Sequence, residues 1–409
     1  MQTRNYALVT AGYWAFTLTD GALRMLVLLH FNELGYSPVA LAFLFLSYEF
    51  MGILTNLLGG WVGSRTGLNK TLLAGLSLQI MALTALTFQR ESWAEIASVV
   101  FVMGAQALSG VAKDLTKMSS KSAVKFVAGD GDGALFRLVA ILTGSKNALK
   151  GVGFFLGGAL LALFGYDAAL WIMAGALVAV LGVIATMLNE DIGRSSKKTP
   201  LRSILSKSDA INRLSFARFF LFASRDIWFV VALPIFLHDE LNWSDYGVGG
   251  FLAIWVIGYG MIQSIAPRFL RGADEIIAAR QWSLALGVVA AIIAATVGVQ
   301  LGGDTGTGIA IVGGLLVFGV VFALNSSLHS YLILAYSDDD DVSIDVGFYY
   351  SANAAGRLIG TLLSGLLYLW GGLSIALWGA AAFVAITWLL TLRLPELPAA
   401  PERSAITTA

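Results

Sequence analysis

The chain has 409 residues, 57% hydrophobic and only 13% charged, with 26 basic and 26 acidic residues. So little charge leaves a soluble domain short of polar surface, and the composition reads as a polytopic membrane protein. There is no cysteine, which excludes disulfides, thiol chemistry and cysteine metal sites.

A helical span needs about 20 apolar residues. Twelve stretches meet that need: 6–31, 38–63, 70–89, 94–114, 134–164, 167–188, 212–237, 246–270, 276–301, 307–334, 344–370 and 372–393. The first carries Asp20 and Arg24 and lacks a small-residue cleavage site, so it reads as a retained span and not as a signal peptide. Between spans, the basic residues fall almost wholly on one side. They are Arg4, Arg65, Lys70, Lys113, Lys117, Lys121, Lys125, Arg194, Lys197, Lys198, Arg202, Lys207, Arg213, Arg268, Arg271, Arg280, Arg393 and Arg403, against Arg90 alone on the other. That excess predicts a cytoplasmic side holding both termini. The acidic run Asp338–Asp341 reads as a solvated loop that also caps the next helix. Gly302–Gly306 reads as an outer turn.

The chain also repeats itself weakly at one offset. Glu33-Leu34-Gly35-Tyr36-Ser37 matches Glu240-Leu241-Asn242-Trp243-Ser244. At the same distance of 207, Lys150, Gly153 and Gly158 match Arg357, Gly360 and Gly365, and Gly165, Leu170 and Trp171 match Gly372, Leu377 and Trp378. Asp20 and Asp226 fall within one residue of it. The expected fold is therefore an all-α polytopic membrane protein, a twelve-helix bundle of two six-helix halves around a central cavity. Its parts are 1–188 for the first half, 189–211 for a cytoplasmic linker, 212–394 for the second half and 395–409 for a cytoplasmic tail. Halves of this kind enclose a site near the midplane and rock about it.

Five cations sit deep in these spans: Arg24, Lys146, Lys150, Arg225 and Arg357. A charge there costs a few kcal/mol at the least, so such groups face a cavity or a partner. Lys146 and Lys150 share one helix face at i, i+4, as do Asn353 and Arg357. The carboxylates in the spans are Asp20, Glu49 and Asp226, the candidate coupling residues. Asp20 and Arg24 are spaced to pair, whereas Arg225 and Asp226 are expected to face different sides. One pair for each carboxylate still leaves cations over, so the cavity is expected to hold an anion bound by Lys146, Arg357, Lys150, Arg24 and Arg225. Asn147, Asn353 and Tyr48 are expected to orient it. Lys150 is also within reach of the outer interface, and Arg137 and Arg218 are expected to snorkel to the cytoplasmic one. Glycines 151, 153, 157 and 158 lie inside a span and read as helix-packing positions, not as a phosphate loop. The three histidines, His30, His238 and His329, are scattered, and no zinc-protease, nucleophile-elbow or nucleotide-loop motif occurs, so an enzyme is not expected. No cofactor, metal or nucleic acid is expected, and the partners are the lipid bilayer and a small anionic substrate.

The loop Gly60-Trp61-Val62-Gly63-Ser64-Arg65-Thr66-Gly67-Leu68-Asn69-Lys70 resembles the cytoplasmic loop signature of the major facilitator superfamily, with Ser64 where that signature has Asp. Four stretches resemble a narrower group, the organoarsenical efflux permeases of arsenic-resistance operons (ArsJ-type). They are Tyr13–Leu28, Tyr48-Glu49-Phe50 with Thr55-Asn56, Lys113–Lys125 and Gly144–Gly151. This resemblance implies efflux of 1-arseno-3-phosphoglycerate, the unstable ester formed when glyceraldehyde-3-phosphate dehydrogenase uses arsenate in place of phosphate. It also implies functional coupling to that dehydrogenase. The alternative is a proton-coupled or exchange carrier for another organic phosphate or carboxylate.

Overall fold

The computed structural model describes residues 2–66, 68–127, 134–188, 208–269, 274–299, 303–337 and 342–396. Outside them lie Gly67, Gly302, the Asp338–Asp341 run, Arg271, nearly all of the expected linker with its basic residues, and the tail from 397. The side chains of Ser64, Arg65, Lys121, Lys125, Arg137 and Arg268 lie outside as well.

Six helices make the first six spans: α1 (Gln2–Glu33), α2 (Pro38–Thr66), α3 (Leu68–Leu86), α4 (Glu95–Val127), α5 (Ala134–Phe164) and α6 (Tyr166–Met187). The seventh span is built from α7 (Asp209–Phe229), α8 (Ala232–Ile235) and a π-helical turn, Phe236–Glu240. Then come α9 (Asp245–Phe269), α10 (Glu275–Gly298) and α11 (Gly303–Tyr336). The last helix, α12 (Val342–Thr391), holds the two final spans, divided at Gly371 and Gly372. Among the described residues there is no strand, and nine segments are long and apolar enough to cross a membrane. One of these, Asp345–Thr391, has 47 residues, enough for two crossings.

The interruptions have local causes. Pro234 lacks an N–H and its ring crowds the carbonyl four residues back, which breaks the helix near Val230. The freed N–H groups of Val231 and Ala232 donate to Ser364 Oγ at 3.2 and 3.0 Å, so none is stranded in apolar surroundings. At the division of α12, Gly372 has φ +66°, a left-handed conformation that glycine adopts without a steric penalty.

The 207-residue offset recurs in the backbone itself. Gly35 and Asn242 are both left-handed, at φ 79° and 52°, and so are Gly165 and Gly372. Asn is the natural non-glycine choice there, because its short polar side chain tolerates that region. Packing repeats too. A Cβ on Gly158 would meet the carbonyl oxygen of Asp245, while one on Gly365 would meet that of Pro38. Thus α5 approaches the start of α9 as α12 approaches the start of α2.

One face of the bundle carries the chain ends: Arg4 donates to the carbonyl of Met187, Arg213 to that of Arg393, and Tyr336 to that of Pro395. The expected boundary is furthest off at α4, which runs to Val127 and not to 114. Lys113 and Lys117, expected in a loop, are therefore helical. Asp114 is the reason: it is 2% exposed, accepts from Thr55 and pairs with Lys117 one turn on at 3.3 Å. Lys117 also donates to Asn56 on α2 at 3.1 Å, so the helix continues by packing on its neighbour.

Candidate functional site

At mid-depth a chain of ion pairs crosses from the first six spans to the last six. Arg24 on α1 donates to Glu49 Oε1 on α2 at 2.7 Å. Arg357 on α12 donates to the same oxygen at 2.6 Å and through Nε to Asp226 Oδ2 on α7 at 3.1 Å. Arg225 closes the chain with its Nε 2.6 Å from Asp226 Oδ1. Glu49 and Asp226 are fully buried. Three guanidinium groups thus share two carboxylates, in surroundings where an isolated charge would be costly.

Two sequence expectations are corrected here. Asp20 and Arg24 do not pair. The longer Glu49 side chain reaches Arg24, and Asp20 instead accepts from the Tyr48 hydroxyl at 2.7 and 2.9 Å. Arg225 and Asp226, expected to face apart, bond to each other because the long Arg225 side chain folds back along α7.

More cations surround this chain. The Lys113 ammonium lies 4.2 Å from the Tyr48 ring centroid, and the Arg24 guanidinium 5.1 Å from it. Lys150 points inward, not to the outer interface. It sits 5.8 Å from the Phe154 ring, in electrostatic range of Arg24, Asp20, Arg357 and Lys146. Lys150 makes no ion pair and no side-chain hydrogen bond among the described residues. Sequence reasoning missed Lys113, because its span was closed one residue later; the Asp114-Lys117 spacing was the available sign that the helix goes on.

A second polar group lies beside the first. Asn147 on α5 donates to Gln263 on α9 at 3.4 Å, Gln263 to Ser326 Oγ on α11 at 3.3 Å, and Tyr259 Oη lies 3.3 Å from that same oxygen. Arg218 on α7 donates to both Ser326 O and Ser326 Oγ at 3.0 Å. It was expected to snorkel, yet it is 3% exposed and stacks 4.0 Å from the centroid of Phe222. Packing between α7 and α11 encloses it before its head can reach water. Asn353 is buried with no side-chain hydrogen bond among the described residues.

The face opposite the chain ends holds a third group, nine residues along α1 from Arg24 and so about 13 Å away. Asn32 donates to Asp239 at 2.9 Å, His238 Nδ1 lies 2.7 Å from Asp239, and His238 Nε2 lies 3.7 Å from Asp245. Glu33 joins them: ligand atoms of Glu33, His238 and Asp245 fall within 4.8 Å of one another. Burial and the neighbouring Asp245 push the Glu33 carboxyl above its ordinary range.

The family model of the Major Facilitator Superfamily matches residues 9–332. No curated protein matches the chain. A solved bacterial homologue of the iron transporter ferroportin, inward-facing, is similar at 19% identity with a TM-score of 0.72, over 96% of this chain and 98% of that one. A bacterial ferroportin homologue in an outward-facing state is similar at 16% and 0.66, over 95% and 99%. The human organic anion transporter MFSD10 (TETRAN) is similar at 15% and 0.68, over 95% and 99%. At these identities the likeness is one of fold. With the family model matched over most of its length and the fold shared nearly end to end, the chain belongs to the Major Facilitator Superfamily of multi-pass membrane transporters.

Proposed function

We propose that this chain is a secondary active exporter of a small organic anion, 1-arseno-3-phosphoglycerate, working by alternating access and conferring resistance to arsenate. One observation carries the anionic cargo. Arg24, Lys113, Lys150, Arg225 and Arg357 gather about the carboxylates Asp20, Glu49, Asp114 and Asp226, and Lys150 makes no ion pair among the described residues. Unbalanced positive charge inside a bilayer is costly unless an anion shares the space. Arginine offers a planar fork to phosphate-like oxygens and lysine a point charge, and both suit arsenate and phosphate groups. The identity of the cargo comes from the resemblance of Tyr13–Leu28 and Gly144–Gly151 to the organoarsenical permeases. The glyceraldehyde-3-phosphate dehydrogenase that makes the ester is the functional partner.

In this reading Lys146, Lys150, Arg24, Arg225 and Arg357 bind the cargo, with Asn147, Asn353 and Tyr48 orienting it. Asp20, Glu49 and Asp226 couple its passage to protons, because cargo and carboxylate compete for the same guanidinium groups. The two six-helix halves, 1–188 and 212–394, rock about the site in a bacterial inner membrane, with both termini and the 189–211 linker cytoplasmic. The hydrogen bond from Asn32 to Asp239 at 2.9 Å supports a state closed on that face.

The test is arsenate resistance in a strain without other arsenic export. Lys150→Met and Arg357→Met keep bulk and remove charge. Both variants are expected to lose resistance at normal membrane abundance, and the unaltered chain to need active dehydrogenase and its substrate. Resistance unchanged in both variants overturns the site. Efficient transport of free arsenate by everted vesicles lacking the dehydrogenase overturns the ester as cargo and leaves a carrier of another organic phosphate or carboxylate.

A further inference from the structure

Arg218 is a buried cation that the central ion chain does not use. It is 3% exposed and has no carboxylate within ion-pair distance among the described residues. Its guanidinium is held by neutral oxygens of Ser326, and its Nε is buried without a partner among the described residues. His329 lies in electrostatic range of it, is fully buried, and has no partner at either ring nitrogen among the described residues. A full positive charge and an unbonded imidazole within electrostatic range of each other are each costly in an apolar interior, and an oxyanion between them satisfies both together.

The position relative to the central site is informative. Arg218 and Arg225 are seven residues apart on α7, about 10 Å along the axis. They flank one ring, Phe222, at 4.0 and 5.0 Å. The hydrogen bonds from Asn147 through Gln263 to Ser326 join the two poles, and Asn147 is the chain neighbour of Lys146. The molecule therefore presents two cationic poles separated by an aromatic ring and linked by neutral polar groups.

We infer that Arg218, with Ser326, Gln263 and His329, forms a second anion subsite that takes the far oxyanion of a cargo charged at both ends. This rests on the anion-exporter reading and deepens it: the second terminal oxyanion of a short cargo of a few carbons is assigned to Arg218, Ser326, Gln263 and His329. A cargo with one charged end leaves Arg218 without an anion, and truncating one side of a buried charge pair is a loss large enough to set specificity.

The experiment measures binding to the purified full chain by titration calorimetry, with propane-1,3-diyl bisphosphate and propyl phosphate as probes. The unaltered protein is expected to bind the bisphosphate at least about 30-fold tighter. Arg218→Met is expected to bring bisphosphate affinity down to that of propyl phosphate while leaving propyl phosphate unchanged, and Arg218→Lys to keep part of the preference. Should Arg218→Met fail to fold, Gln263→Leu decides, with an expected drop in preference of about fivefold. Equal affinity for the two probes in the unaltered protein, or a preference that survives Arg218→Met or Gln263→Leu, overturns the subsite. A parallel Lys150→Met variant is expected to weaken both probes alike. If neither probe binds the unaltered chain, the exporter reading falls and the subsite with it.

Discussion

Asn32 donates to Asp239 at 2.9 Å, and the two residues are 207 positions apart, each the other's counterpart in the repeat. A residue that touches its own counterpart lies on the axis relating the repeats, so this contact parts when that face opens. The chain has no cysteine, which makes single thiols clean probes. A short bifunctional thiol reagent on the double variant Asn32→Cys, Asp239→Cys is expected to stop transport, and each single variant to keep it. Transport that continues through the cross-link in vesicles places the moving gate elsewhere.

Acidity should favour closure of the same face. Glu33 at the end of α1 is held above its ordinary carboxylate range by burial and by Asp245, with His238 opposing. When the face opens, Glu33 parts from Asp245 and returns toward its ordinary value, so closing takes up a proton. Closure is therefore favoured as pH falls through the raised value and disfavoured above it. Alkylation of a cysteine placed at Leu241 is expected to slow as pH drops through that raised value, and Glu33→Gln to flatten that dependence. Because His238 faces Asp239 and Asp245, His238→Gln run beside it separates the imidazole's own titration. A slope unchanged in Glu33→Gln would rule out that carboxyl as the sensor.

The spans were legible because hydropathy and helix length measure the same thing, and the repeat was legible because Gly35 and Asn242 must both be left-handed. The pairings were not. Spacing on one helix places Asp20 beside Arg24, but only the neighbouring α2 decides that Glu49 takes the guanidinium and Tyr48 the aspartate. Arg218 shows the same limit: distance from a span's end says nothing about whether another helix covers the side chain.

Ser364 ties the broken seventh span to α12. Its Oγ accepts from the N–H groups of Val231 and Ala232, both freed by Pro234. Ser364→Ala leaves two buried donors unbonded, at about 1–3 kcal/mol each. A clear fall in thermal unfolding temperature is expected. Pro234→Ala in the same background is expected to recover part of it, since the helix can then bond internally. No recovery would mean that Ser364 acts through packing alone.

Glu49 is expected to be the cargo's competitor. One of its oxygens accepts from Arg24 and Arg357, while its other oxygen is buried without a partner among the described residues. An oxyanion that binds Arg357 must draw it from Glu49, and release is completed when Glu49 takes it back. Glu49→Gln removes the competitor and leaves the guanidinium groups short of negative charge, at about 3–5 kcal/mol in the empty protein. Three results follow together. The unliganded variant unfolds at lower temperature, propyl phosphate restores much of that loss, and its affinity rises about tenfold, equivalent to 1.4 kcal/mol. Net export slows because release lacks its driving pair. A purely structural Glu49 gives only the first of these: a weaker protein, with anion affinity unchanged or reduced because the guanidinium groups are no longer held in place.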